Sequence, residues 1–135
     1  MPPAKSRILY AEEHDDTSSA LRLLLERSNY EARTAKTVTD GLSLAQSEHF
    51  DLYLLSGRFA DGTGIEMCRH IRQFDSHTPI LFYSAYTSEA DRQQGLRAGA
   101  QAYLIKPGDI YDLIATITSL INQSKHKRQA HAARS

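Results

Sequence analysis

Polar residues stand where short apolar runs end: Glu12 and Glu13 after Ile8-Leu9-Tyr10-Ala11, Ser56 after Leu52-Tyr53-Leu54-Leu55, Ser84 after Ile80-Leu81-Phe82-Tyr83, and Lys106 after Tyr103-Leu104-Ile105. Two carboxylates, two hydroxyls and a lysine brought together would suit a hard cation beside an anionic group. The same set can also satisfy itself as a structural ion-pair cluster, and the residue types leave both readings open. Ser56 invites a third, nucleophilic catalysis. The glycine after it is suggestive, but the Gly-x-Ser-x-Gly elbow is absent because Leu54 holds the place of the first glycine. His14 lies near these residues in sequence and reads equally as an exposed loop residue beside acids. His49, His70, His77, His126 and His131 show no i,i+4 metal spacing.

Such residues need elements that carry them to one place. Continuous apolar runs mark parallel strands covered on both faces, and Arg7 to Ala11, Phe50 to Leu55, Ile80 to Tyr83 and Ala102 to Ile105 read this way. Tyr30 to Ala35 alternates Tyr30, Ala32 and Thr34 against Glu31 and Arg33, which suits a sheet edge. Helical spacing lies between them. Ala20, Leu21, Leu24 and Leu25 define a first helix, capped by Asp15 or Asp16 and ending near Asn29. Thr37 with Asp40, and Ser88 with Asp91, are capping-box variants that start two more. A helix spans about Ile65 to Phe74, and Gly99 follows Ala98 as a left-handed C-cap. Asp109 caps the last, with Leu113, Ile114, Ile117, Leu120 and Ile121 as its apolar stripe.

Five strands alternating with five helices predict an α/β fold, a doubly wound five-stranded parallel sheet with right-handed crossovers. Ligands bind at the carboxyl ends of such strands, where Glu12, Glu13, Ser56, Ser84 and Lys106 would meet. The 135 residues suit one domain with one core. Sixteen basic and sixteen acidic residues cancel, so a nucleic-acid role would need another domain. No apolar run approaches the roughly 20 residues of a membrane span, and Met1 to Ser6 lack the apolar segment of a signal peptide. A cytoplasmic protein without direct nucleic-acid or membrane contact is expected. Cys68, beside Ile65, Met67 and Ile71, reads as an inert buried thiol. Residues 1–5 read as an N-terminal extension, 6–124 as the domain, and 125–135, with Lys127, Arg128 and Arg134, as a basic tail or linker.

Taken in order, four segments resemble the receiver domain of bacterial two-component response regulators, along nearly all of Arg7 to Gln123. They are Ile-Leu-Tyr-Ala-Glu-Glu; Asp-Leu-Tyr-Leu-Leu-Ser followed by Ala-Asp-Gly-Thr-Gly; Tyr-Ser-Ala; and Ala-Gly-Ala-Gln-Ala-Tyr-Leu-Ile-Lys-Pro. The resemblance implies a flavodoxin-like fold that takes a phosphoryl group from a partner histidine kinase onto an aspartate ending the third strand, with Mg2+ bound by the acidic residues. It assigns Glu13 to the direct metal ligand, Glu12 to its acidic companion and the backbone carbonyl of Arg58 to a further ligand. Lys106 takes the place of the phosphate-pairing lysine, Ser84 of the hydroxyl that turns toward the phosphoryl group, and Tyr103 of the aromatic that swings inward. Pro107 takes the place of the proline that usually follows a cis peptide.

The departures carry the functional expectation. Ser56 holds the phosphoacceptor position, and a serine hydroxyl neither forms an acyl phosphate nor offers Mg2+ an anionic oxygen at neutral pH. Phosphotransfer is expected to fail and Mg2+ binding to be weak or absent. Glu13 replaces the usual aspartate and reaches one methylene further, while Ala60 replaces a common loop proline, which predicts a less restrained loop. The expected role is a phosphorylation-independent protein-interaction module rather than an enzyme. Its partners would be a histidine kinase or another signalling protein, or a second copy through the fourth helix, fifth strand and fifth helix. The alternatives are a small hydrolase with Ser56 as nucleophile, or a receiver regulated by phosphorylation of Ser56 by a serine kinase.

Overall fold

A computed structural model of the chain describes residues 4–85, 88–106 and 110–134. In order, it builds β1 (Arg7–Ala11), α1 (Asp15–Arg27), β2 (Glu31–Ala35), α2 (Val38–Ser47) and β3 (Leu52–Leu55). A short hairpin, β4 (Arg58–Phe59) and β5 (Gly62–Thr63), leads into α3 (Gly64–Phe74). Then come β6 (Ile80–Ser84), α4 (Glu89–Ala98), β7 (Ala102–Ile105) and α5 (Ile110–Arg134). Five strands form one parallel sheet in the order β2-β1-β3-β6-β7. This is the flavodoxin-like doubly wound order, which opens a crevice where it reverses, at the carboxyl ends of β1 and β3. β2 lies at the edge, as its alternation predicts.

The sheet divides the expected single core into two. Alternate residues of each strand face opposite sides, so Ile8 and Tyr10 meet Leu21 and Leu25 of α1 and Leu113, Ile117 and Ile121 of α5. Leu9 and Ala11 face the other way, with Val38 and Ala45 of α2 and Met67, Cys68 and Ile71 of α3. Cys68 is fully buried and donates to the carbonyl of Ala98 at 3.5 Å, and burial pushes its thiol up to about 11. That suits the inert thiol its neighbours predict.

Thr37 and Ser88 cap α2 and α4 as expected, accepting from the amides of Asp40 and Asp91 at 3.0 and 3.1 Å. α1 differs. Its N-cap is His14, without a side-chain bond, and Asp15 and Asp16 lie in the first turn, where they complement the helix dipole instead of capping it. The other departure is at the C-terminus. α5 does not give way to a tail at Lys125 but stays helical to Arg134, through residues that favour helix intrinsically, although no described side chain beyond Ile121 is buried. The expected Asp109 cap lies outside the described residues.

Gly64 sets how closely α3 approaches the sheet. Its amide donates to the carbonyl of Gly57 at 2.9 Å, and a Cβ at this position would stand 2.1 Å from the carbonyl oxygen of Ser56 and 2.9 Å from the Phe82 ring. No side chain can be accommodated while that carbonyl keeps its place. Gly64→Ala is therefore expected to lower unfolding free energy by more than about 2 kcal/mol, measured by urea denaturation.

Candidate functional site

The parallel ladder continues one residue past several strand ends, and this holds the polar residues in place. The amide of Glu12 donates to Ala35 at 2.9 Å, that of Ser56 to Ala11 at 3.0 Å, and that of Lys106 to Ser84 at 2.9 Å. Glu12, Ser56, Ser84 and Lys106 are thus assembled on one edge of the sheet. Glu12 and Ser84 are essentially inaccessible and Ser56 is 7% exposed. Glu13 is half-buried and Arg58 is exposed on β4.

Lys106, which is half-buried, forms an ion pair with the buried Glu12. The second carboxylate oxygen of Glu12 accepts from the amide of His14 at 3.1 Å, and the hydroxyl of Tyr10 lies 3.5 Å from the first. Burial alone would raise the pKa of Glu12, but the Lys106 hydrogen bond and the His14 amide outweigh it and hold the carboxyl below its ordinary value. Lys106 also donates to Ser56 Oγ at 3.4 Å, and its ammonium lies 5.4 Å from the centre of the Tyr83 ring. The lysine thus meets a carboxylate, a hydroxyl and an aromatic face at once.

The donor set fits Mg2+ poorly. A hard cation needs about six oxygen ligands, with carboxylates prominent among them. Both oxygens of Glu12 are engaged, Ser56 is neutral, and Glu13 is the nearby carboxylate with no hydrogen bond or ion pair among the described residues. Among those residues no three His, Cys, Asp or Glu side chains converge on a common point. The nucleophile reading fares no better, since the side-chain partner of Ser56 among the described residues, Lys106, donates to its hydroxyl and is paired with Glu12 rather than placed to take its proton.

The loop after Ser56 is more restrained than Ala60 predicts. It folds as the β4–β5 hairpin, and Asp61 accepts from the amides of Val38 and Thr39 at 2.8 and 3.0 Å and from the Thr39 hydroxyl at 2.8 Å. Those backbone bonds keep the Asp61 carboxyl below its usual range. Thr63 then caps α3 by accepting from the Glu66 amide at 3.1 Å. Tyr103 is 5% exposed and stacks on Phe82, with ring centroids 5.5 Å apart. Pro107 lies outside the described residues. Sequence reasoning missed Tyr10 and Asp61. The signal for Tyr10 was a phenol two residues before Glu12, hence on the same face of the strand.

The family described as response regulator receiver domain matches residues 8–118. The chain belongs to that family. The receiver domain is 35% identical to the response regulator ArlR of Staphylococcus aureus over 122 residues, which is 90% of this chain and 55% of that protein. It therefore spans about half the length of the curated relatives it matches. A CheY-like receiver domain protein from Methanospirillum hungatei superposes with a TM-score of 0.87 at 25% identity, covering 91% of this chain and 98% of that one. The non-phosphorylated HemR receiver domain from Leptospira biflexa gives 0.80 at 28% identity, over 87% and 94%. TrrA from Thermotoga maritima, solved with Mg2+ and BeF, shares the fold with a TM-score of 0.78 at 24% identity, over 85% and 98%.

Removing Lys106 would strand the Glu12 carboxylate. Lys106→Met is expected to cost about 3–5 kcal/mol near neutral pH, and the double variant Glu12→Gln/Lys106→Met to recover most of it. The pH dependence follows in sign. With the lysine, Glu12 titrates below its unfolded value near 4.3, so its stabilisation is present above that pH and fades as pH falls through the folded value. Without it, burial dominates, the folded carboxyl binds its proton more tightly than the unfolded one, and acid relieves the penalty. Urea denaturation should show the gap between wild type and Lys106→Met narrowing as pH drops below about 5.

Proposed function

We propose that this receiver domain holds one signalling state without phosphoryl transfer and acts as a protein-interaction module of a two-component pathway. The observation that carries this reading is the contact between Ser56 Oγ and Lys106 at 3.4 Å, with Lys106 already paired to Glu12. Ser56 occupies the place that the family resemblance gives to the phosphoacceptor aspartate. A hydroxyl there cannot become an acyl phosphate, and the lysine that would pair with a phosphoryl group has a partner without one. An aspartate at 56 would set three carboxylates beside one lysine and favour a bound cation; serine removes that demand, so Mg2+ binding is weak or absent.

The position of Tyr103 supports the same state. By resemblance this aromatic swings inward on phosphorylation, and here it is buried on Phe82 beside an unphosphorylated Ser56. Ser84 takes the hydroxyl's place in that switch, Glu12 and Glu13 that of the acidic pair, and Arg58 and Pro107 those of the carbonyl ligand and the cis-peptide proline. The partner is a histidine kinase or another signalling protein, or a second copy through α4, β7 and α5.

Acetyl phosphate with Mg2+, read by intact-protein mass spectrometry, tests this directly. Wild type is expected to remain unlabelled and Ser56→Asp to gain one phosphoryl group, which would show that the serine alone silences the site. Labelling of wild type on an acid-labile, hydroxylamine-sensitive bond would overturn the reading, as would clear Mg2+-dependent beryllofluoride binding in fluorine NMR. If neither protein is labelled, the Glu12–Glu13 pair has lost phosphotransfer competence as well.

A further inference from the structure

Charge balance over the whole chain conceals a separation of charge along it. All sixteen acidic residues and twelve of the sixteen basic ones precede residue 122, so residues 1–121 carry a formal charge of −4 and residues 122–135, with Lys125, Lys127, Arg128 and Arg134, one of +4. The basic segment is a regular element, because α5 continues through it to Arg134. Residues 122–134 rise about 20 Å as a helix. From Asn122 to Gln129 every side chain except the half-buried Ser124 is exposed. The helix dipole favours cations only in the last turn, and Lys125, Lys127 and Arg128 stand before it.

Among the described residues no carboxylate answers Lys125, Lys127 or Arg128. Lys125 donates to the neutral hydroxyl of Ser6 at 2.9 Å, and Lys127 and Arg128 have no hydrogen-bond or ion-pair partner there. Leu120, Ser124, Lys127 and Arg128 recur at helical spacing and line a recess of about 120 Å³ with His77 and Gln101, without an acidic residue in its wall. That is below the range of small-molecule sites, so the recess suits one anionic group of a larger partner. An apolar partner has nothing to grip: after Ile121 the apolar side chains are Ala130, Ala132 and Ala133, too few for a coiled-coil seam or a membrane-inserted face. The partner that fits is a polyanion. Duplex DNA presents phosphates in a row beside a major groove about 12 Å wide, which admits an α-helix. We propose that the basic extension of α5 binds the phosphate backbone of duplex DNA through Lys125, Lys127 and Arg128. The zero net charge argues against nucleic-acid contact for the chain as a whole, but not for this helix. The assignment is independent of the state of Ser56.

The test is fluorescence anisotropy of a labelled mixed-sequence duplex of about 20 base pairs, titrated with the whole chain in about 50 to 200 mM NaCl. Saturable binding is expected at the lowest salt. With three phosphates neutralised, the logarithm of affinity should fall against the logarithm of salt with a slope of about −2.7. Lys127→Gln/Arg128→Gln should weaken binding by about tenfold or more at the lowest salt and reduce the slope to about −0.9. Both side chains are exposed on a helix, so the variant is expected to fold. Arg92→Gln/Arg97→Gln removes the same charge from exposed positions of α4 and should bind within about twofold of wild type. Absence of saturable binding, an unchanged slope in the α5 variant, or an equal loss in the α4 variant would each overturn the assignment. So would binding to phosphatidylserine vesicles or to poly-glutamate as tight as to the duplex, which would make the partner a membrane or an acidic protein.

Discussion

The ion pair between Glu12 and Lys106 is the contact on which the candidate site depends. Its partners are 94 residues apart, one after the first strand and the other after the last, and β3 and β6 lie between those strands in the sheet. Neither charge could be buried alone at tolerable cost, so the pair forms only when the sheet is complete. Such a pair adds little net stability over an apolar replacement, because desolvation offsets most of the attraction. What it supplies is specificity: β1 and β7 must end level with each other for the ammonium to reach the carboxylate. Tyr10, the His14 amide and the Tyr83 ring then satisfy the groups the pair leaves over.

Ser56 makes sense beside that pair. A neutral hydroxyl accepts a hydrogen bond from Lys106 without competing with Glu12 for its charge, so the pocket is balanced at one carboxylate to one ammonium, with Glu13 at its half-buried margin. A second buried anion would break the balance, and a cation would have to enter to restore it. A hydroxyl rather than a carboxylate at position 56 thus sets the electrostatic need of the whole pocket, beyond the chemistry of one atom.

Much of the fold was legible because hydrophobic period and helix caps are local signals. Ile80 to Tyr83 could hardly be anything but a buried strand, and Thr37 with Asp40 announces a helix start; both appear where the pattern puts them. Long-range hydrogen bonds leave no such mark. Asp61 caps α2 across 23 residues, and nothing around it in sequence names Val38 as its partner. The capping of α1 was misread for a related reason: Asp15 and Asp16 are good cap residues, but the turn placed His14 at the cap and turned Asp15 toward Lys36 at 3.1 Å. The residues of the site could be listed from strand ends, yet the partner that each would choose could not, because that depends on how far each strand's ladder extends.

The hairpin shows how constraint can move within a loop. Ala60 gives up the stiffness that a proline would bring through a fixed φ. The restraint reappears as hydrogen bonds, with Arg58 and Phe59 pairing with Thr63 and Gly62, and Asp61 tying the turn to α2. Gly64 completes it by letting α3 begin against the Ser56 carbonyl. The loop is thus held by its own hydrogen bonds and by the close approach of α3.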